Sequence, residues 1–262
     1  MPDAVELAFD RLLTRYPGMP WLALLRALEI AVLGELLPER SGPVLDLGCG
    51  DGFVAGLAFG RRLEAGIDLD RAVLAEASAS KAYDLVCQAS ADRLPFAPAS
   101  FALVYSNGAL EHMERLDEVL AEVHRVLRPR GRFVFLVPSA RFGRPLGALA
   151  LTGSRLWDRV NRLHHHVNLL SAAAWSGRLA HAGLRTERVA AYGPRRCARF
   201  IATRDALSKI HVVLRSRAPS LRHGGNLGRL AALGATRRAR RLARMPVLAP
   251  DGYWLAIVAR RP

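Results

Sequence analysis

The sequence predicts an α/β protein built on a mainly parallel sheet with helices on both faces. Short apolar runs alternate with helix-period segments from residue 44 to residue 137, the rhythm of consecutive βαβ units. A turn carrying three glycines follows the first of these runs, at the edge where such sheets bind ligands. With 51% hydrophobic residues over 262 positions, the chain has enough apolar surface for one large core, which excludes general disorder.

Two helical patterns come first, residues 4–15 and 21–37, separated by Pro17, Gly18 and Pro20. The second places apolar side chains at 22, 25, 28, 32 and 36, close to the 3.6-residue period. Residues 44–47 read as a strand, 53–59 as a helix, 63–67 as a strand and 71–82 as a helix behind Asp70 as cap. Strands follow at 84–87, 101–105 and 132–137, with a helix at 116–127 before the last of them. After Pro138 the pattern loosens until a helix at 172–182 and a strand at 184–192. The final strand is expected at 253–259. The interval before it holds helix-compatible stretches at 198–214 and 227–244, broken by Pro219 and Gly224–Gly225, and reads as a helical insertion between neighbouring strands. The chain thus divides into an N-terminal helical cap (1–40), a sheet domain (41–195 plus 250–262) and a basic helical insertion (196–249).

The formal net charge is +15, and of the 38 basic residues only Lys81 and Lys209 are lysines. The charge is uneven: residues 1–140 carry −5, whereas residues 195–245 carry +13. That stretch makes a local field suited to phosphates, anionic lipids or an acidic substrate; a solvated arginine face is the plainer alternative. Three scattered cysteines, Cys49, Cys87 and Cys197, suit a reducing compartment. The first residues include Asp3, Glu6 and Asp10, unlike a signal peptide, and no uncharged apolar run approaches spanning length. A cytoplasmic location is expected.

The segment Val44-Leu45-Asp46-Leu47-Gly48-Cys49-Gly50-Asp51-Gly52 carries the functional signal. Its glycines allow a sharp strand-to-helix turn and a close backbone approach to a ligand. A dinucleotide fingerprint would place a third glycine where Phe53 stands. Asp46 before the turn and Asp51 within it would repel a pyrophosphate but suit ammonium and sulfonium groups, the charges of S-adenosylmethionine. About twenty residues on, Asp68 ends the second strand where a carboxylate accepts from ribose hydroxyls.

VLDLGCGDG (44–52), GIDLD (66–70), LPF (94–96), the 100–112 segment ending in LEH, and RVLRPRGRFVFLVP (125–138) together resemble the class I S-adenosylmethionine-dependent methyltransferases of the type 11 kind. The resemblance covers roughly residues 40–140. It implies a Rossmann-like seven-stranded sheet with an antiparallel last strand at 253–259, paired with 184–192, so that the insertion lies between strands 6 and 7. It also implies methionine-end contacts at Asp46, Gly48, Cys49 and Gly50, a ribose acceptor at Asp68 and an apolar adenine rest at Leu69. Relatives often place an Asp for the adenine amino group where this chain has Ser90; Ser90, Ala91 and Asp92 are the candidates there, and Ser106 and Asn107 complete the donor contacts. Ala102 and Arg130 replace the family's usual Asp and Gly.

Methyl transfer to an activated sulfonium needs alignment above all, and a base only when the acceptor has a proton to lose. His112 is the candidate general base and Glu111 the group that would orient it. The His164–His166 run is no obvious metal site, because adjacent side chains diverge, and no metal is expected. One of these histidines, with Asn168 or Tyr192, is expected to line the acceptor pocket, while Trp157 and Trp175 are assigned to packing.

The leading reading is a methyltransferase acting on a hydroxyl or amine of a small or lipid-linked metabolite. An RNA methyltransferase is an alternative because of the arginines, although Ser106-Asn107-Gly108-Ala109 is not the base-amino motif. A third is a non-catalytic donor-binding module that contacts anionic lipid through residues 220–246, peripheral to the inner face of the membrane.

Overall fold

A computed structural model of the chain describes residues 2–37, 42–143, 165–217 and 226–262. Helices α1 (Pro2–Arg15) and α2 (Pro20–Leu36) precede β1 (Val44–Leu47), α3 (Phe53–Phe59), β2 (Leu63–Asp68), α4 (Arg71–Ser80) and β3 (Tyr83–Gln88). There follow β4 (Phe101–Asn107), a 3₁₀ turn at Leu110–His112, α5 (Leu116–Val126) and β5 (Leu127–Pro138). A second 3₁₀ turn (Ala140–Gly143), α6 (Ala172–His181), β6 (Arg185–Tyr192), α7 (Arg195–Arg217), α8 (Asn226–Ala243) and β7 (Trp254–Arg260) complete the order.

The seven strands form one sheet in the order β3-β2-β1-β4-β5-β7-β6. Only β7 runs against the rest, pairing antiparallel with both β5 and β6. The expected seven-stranded, mostly parallel sheet is therefore present, and α7 and α8 lie between strands 6 and 7 as expected. The central strands are buried on both faces, while β3 and β6 at the edges are partly exposed, and the period of two deals alternate residues to two cores. Val134 and Leu136 join the core under α1, α2, α7 and α8; Phe133, Phe135 and Val137 join the core under α5 and α6. Trp175 is fully buried against Phe135, 4.9 Å between ring centres, and so packs as expected. Trp157 and His164 lie outside the described residues.

Strand β5 starts five residues earlier than the sequence suggests, at Leu127 instead of Arg132. Pro129-Arg130-Gly131 reads as a break, and it is a bulge within the strand: Leu127 pairs with Phe101 and Arg132 with Leu103. The intervening residues are held because the Arg130 N–H donates to the Arg261 carbonyl at 3.0 Å and the Arg261 N–H to the Gly131 carbonyl at 2.9 Å. Arg130 itself sits at φ +63, the left-handed region in which a side chain costs about 1 kcal/mol or more. Arg130→Gly should therefore raise unfolding stability over Arg130→Ala by roughly 0.5–1 kcal/mol, after the entropy cost of glycine, as read by urea denaturation. Equal midpoints for the two variants would refute the strain.

Helix α8 spends its apolar side on the protein itself: Ala235, Ala239, Leu242 and Ala243 are buried. Its Arg240 and Arg244 pair with Asp10 and Glu6 of α1 at 2.8 and 2.7 Å. From Ala235 to Ala243 the helix is thus docked on the protein, while Leu233 is 57% exposed. No described helix is long and apolar enough to cross a membrane.

Candidate active site

The turn after β1 is built by hydrogen bonds and by missing side chains. Gly48 and Cys49 both donate to the Ile67 carbonyl at 2.9 Å, fastening the turn to the end of β2. Gly48 has φ +79, and a Cβ there would lie 2.5 Å from the Ala109 Cβ. Gly52 has φ +75 and would meet the Tyr83 ring at 2.7 Å. Neither position tolerates a side chain, so the backbone comes close to whatever occupies the space above it.

That space is a cavity of about 780 Å³ at the carboxyl edge of β1, β2 and β4. Asp46, Gly48, Cys49 and Gly50 line one end. Asp68 and Leu69 stand on its rim, with Ser90, Ala91 and Asp92 beside them and Asn107 and His112 closing the far side. Asp68 accepts from the Gly50 N–H and the Asp70 N–H, both at 3.0 Å. Leu69 is 66% exposed, an apolar side chain held at the mouth. The Ser90 hydroxyl bonded to Asp92, helped by Arg115 at 2.8 Å, keeps the Asp92 carboxyl below its usual range.

Asp46 is buried, and its Oδ2 accepts from the Tyr83 hydroxyl at 2.7 Å. Burial pushes its carboxyl up to about 7; the Tyr83 hydrogen bond opposes this, and the Asp68 charge adds to it. The roof comes from residues that carry no motif. Arg15 pairs with Asp51 at 2.6 Å and also with Glu76 of α4, and Tyr16 and Arg26 face the same cavity. Sequence reasoning missed Arg15, Tyr16, Arg26 and Tyr83; nothing local marks them, because their role depends on helices folding back over the sheet edge.

Ser106 departs from expectation. It is buried within β4 and its hydroxyl donates to the Leu47 carbonyl at 2.8 Å, a tie between adjacent strands away from the cavity. Asn107, its neighbour of opposite facing, reaches the cavity and donates to Glu29 of α2 at 2.8 Å.

Glu111 does not orient His112. In a 3₁₀ turn successive side chains point about 120° apart, so Glu111 turns inward and His112 outward; Oε1 to Nε2 is 4.0 Å, too long for a hydrogen bond. His112 is held instead through Nδ1, which donates to the His165 carbonyl at 3.2 Å. Asn168 is likewise no pocket residue: its amide donates to the Leu110 and Met113 carbonyls at 2.9 and 2.6 Å and braces the turn. Of the histidine run, His166 comes to the site, its ring 5.0 Å from His112. Glu111, His112 and His166 bring one ligand-type atom each within 4.8 Å of one another, a grouping the sequence did not suggest.

A second, smaller chamber of about 190 Å³ adjoins the first, sharing Arg26, Gly108 and His112 with it. Its walls combine apolar side chains, among them Trp21, Leu25, Phe142 and Trp254, with the Arg26–Glu29 ion pair (2.7 Å) and Asp205. Into it face Glu111, His166 and Tyr192, the last as expected. Glu111 Oε2 and the Tyr192 hydroxyl are buried with no hydrogen-bond partner among the described residues. Burial pushes the Glu111 carboxyl up to about 8 and the Tyr192 hydroxyl well above its usual value.

An open α/β sheet with a three-glycine turn and two carboxylates at its carboxyl edge defines an enzyme fold that takes a nucleoside-type cofactor. Residues 45–135 match the family model for a methyltransferase domain. Over 187 residues the chain is 32% identical to a malonyl-[acyl-carrier protein] O-methyltransferase of Enterobacter lignolyticus, an alignment covering 71% of this chain and 70% of the relative. An enzyme of the same description from Alcanivorax borkumensis is 36% identical over 173 residues, 60% of this chain but only 54% of the relative. Among solved structures, geranyl diphosphate C-methyltransferase of Streptomyces coelicolor superposes with a TM-score of 0.59 at 17% identity, over 94% of this chain and 84% of that one, and shares the fold. The chain belongs to the class I S-adenosylmethionine-dependent methyltransferases, and S-adenosylmethionine is its cofactor.

Proposed function

We propose that this methyltransferase esterifies a carboxylate at the end of an acyl group held as a thioester on a carrier protein. The larger cavity holds the donor: Asp46 takes the ammonium, Asp68 the ribose hydroxyls, Leu69 the adenine face, and Ser90 with Asp92 the adenine edge. Gly48, Cys49 and Gly50 let the backbone approach the methionine end, and Asn107 closes that end. The bound donor supplies an electrophilic methyl group.

The observation that carries the acceptor assignment is the pair of buried oxygens in the smaller chamber, Glu111 Oε2 and the Tyr192 hydroxyl, that lack a hydrogen-bond partner among the described residues. Near neutral pH, burial keeps both groups uncharged. Neutral O–H groups donate to an oxygen anion, whereas an amine acceptor calls for an ionised carboxylate. The apolar side chains of its walls suit an acyl chain. The names of the two relatives agree with this chemistry. A carboxylate is already ionised and loses no proton, so the step needs alignment and desolvation but no base.

A hydroxyl acceptor is the second reading, favoured by the position of His112, whose side chain lies at the junction of the two spaces. Labelled methyl transfer to malonyl- and 3-hydroxyacyl-thioesters of carrier protein separates the two. The expected result is esterification of the malonyl group, with His112→Ala keeping turnover within about threefold. Preference for the hydroxyacyl group, with a loss of about 10²–10⁴ in His112→Ala, would replace the acid by the alcohol.

A further inference from the structure

The insertion carries an arginine-lined groove on the side of α7 away from the chamber. Arg196 and Arg199 of α7 form one wall and Arg237, Arg238 and Arg241 of α8 the other, around a space of about 790 Å³. All five are exposed, and none forms an ion pair with a described residue. Leu242 and Met245 make an apolar floor. Asp251 lines the adjoining hollow at one end, and Asp10 and Glu6 of α1 pair with Arg240 and Arg244 beside the groove. The geometry points to this groove as the docking site for the carrier protein, receiving an acidic amphipathic helix with carboxylates against the arginine walls and apolar side chains on the floor. This inference rests on the carrier-linked acceptor proposed above.

Three features favour such an occupant. Charge complementarity is the first: five uncompensated guanidiniums facing a concave space ask for a matching cluster of anions, and a groove with charged walls and an apolar floor is the shape that takes an amphipathic helix. The second is position. Ile201, Ala202 and Asp205 of the same helix face the acceptor chamber, and six residues from Arg199 to Asp205 span about 9 Å of helix axis. A carrier held in the groove would sit one helix away from the place where its acyl group must arrive. The third is what surrounds the groove. Arg240 and Arg244 are already engaged by Asp10 and Glu6, so α1 presents carboxylates beside α8, and a flat anionic bilayer would meet them together with the arginines. Among the described residues the lining contains no aromatic ring, and the nearby Phe200, under Arg238, is buried, so no ring is offered on which a nucleic-acid base would stack.

The test uses the full chain and a purified acyl carrier protein bearing its prosthetic arm, with binding measured by calorimetry at low and high salt in the absence of methyl donor. Single reversals Arg196→Glu, Arg199→Glu, Arg237→Glu and Arg241→Glu are each expected to weaken carrier binding at least tenfold. They should raise KM for a carrier-linked acceptor with kcat within twofold, and leave turnover of the same acyl group on a short pantetheine thioester unchanged. Unaltered S-adenosylmethionine affinity reports that each variant is folded; Arg→Gln versions, with smaller losses in the same order, serve where a reversal does not fold. Carrier affinity untouched by the reversals would overturn the inference. So would reversals that abolish co-sedimentation with phosphatidylglycerol vesicles while sparing carrier binding. If the reversals abolish carrier binding but no carrier-linked acid is methylated, the groove assignment stands and only the acceptor assignment falls.

Discussion

Asp68→Ala should weaken S-adenosylmethionine binding by more than a hundredfold in a calorimetric titration. A carboxylate accepting from two ribose hydroxyls makes two charge-assisted hydrogen bonds, each worth about 1.5–3 kcal/mol. The same side chain accepts from Gly50 and Asp70 in the unliganded turn, so its loss also loosens the backbone that approaches the donor. Asp68→Asn, which keeps a carbonyl acceptor but not the charge, should fall between the two. Wild-type affinity in Asp68→Ala would remove the residue from the donor site and with it the arrangement of the whole cavity.

The second large effect is a pH dependence. Asp46 must be ionised to pair with the donor's ammonium group, and its carboxyl sits at about 7 because it is buried. Affinity should therefore rise as pH increases through 7, reach a plateau above it, and fall about tenfold per unit below it. Tyr83 donates the hydrogen bond that favours the charged form. Tyr83→Phe should move the midpoint upward and cut affinity at pH 7, with the two proteins converging at higher pH. Stability carries the opposite sign. Asp46 and Glu111 both titrate higher folded than unfolded, so the folded state holds more protons, and the free protein loses stability as pH rises from about 4 towards 8. Flat donor affinity between pH 5.5 and 8.5 would show that Asp46 does not face the ammonium group.

Why some of this was readable from the chain and some was not follows from how far each determinant reaches. The βαβ rhythm, the turn at Gly48–Gly52 and the acid at Asp68 are local: each needs only its own neighbours to be in place, and each lies where the pattern put it. The antiparallel pairing of β7 with β6 came through the family resemblance, not from periodicity, and its pairing with β5 was not foreseen. Side-chain direction within short turns was the weak point. Ser106 and Asn107 are adjacent on one strand and face opposite ways, and only the latter reaches the cavity; Glu111 and His112 are adjacent in a 3₁₀ turn, and Glu111 lines only the smaller chamber whereas His112 reaches both. The hydrogen bond from Tyr83 to Asp46 spans 37 positions, and Arg15 and Arg26 arrive from helices that no motif connects to the sheet. Such contacts follow from packing of the apolar faces of α1 and α2, and periodicity alone does not say which polar residues that packing will bring along.

The pairing of Glu6 and Asp10 with Arg244 and Arg240 joins the two ends of the polypeptide above the sheet. Arg15, further along the same first helix, also covers the larger cavity, so the helix roofing that cavity is fastened to the late insertion. Changing which molecule receives the methyl group, by selection or by engineering, then cannot proceed by exchanging the late insertion alone. The opening helices would have to be redesigned with it.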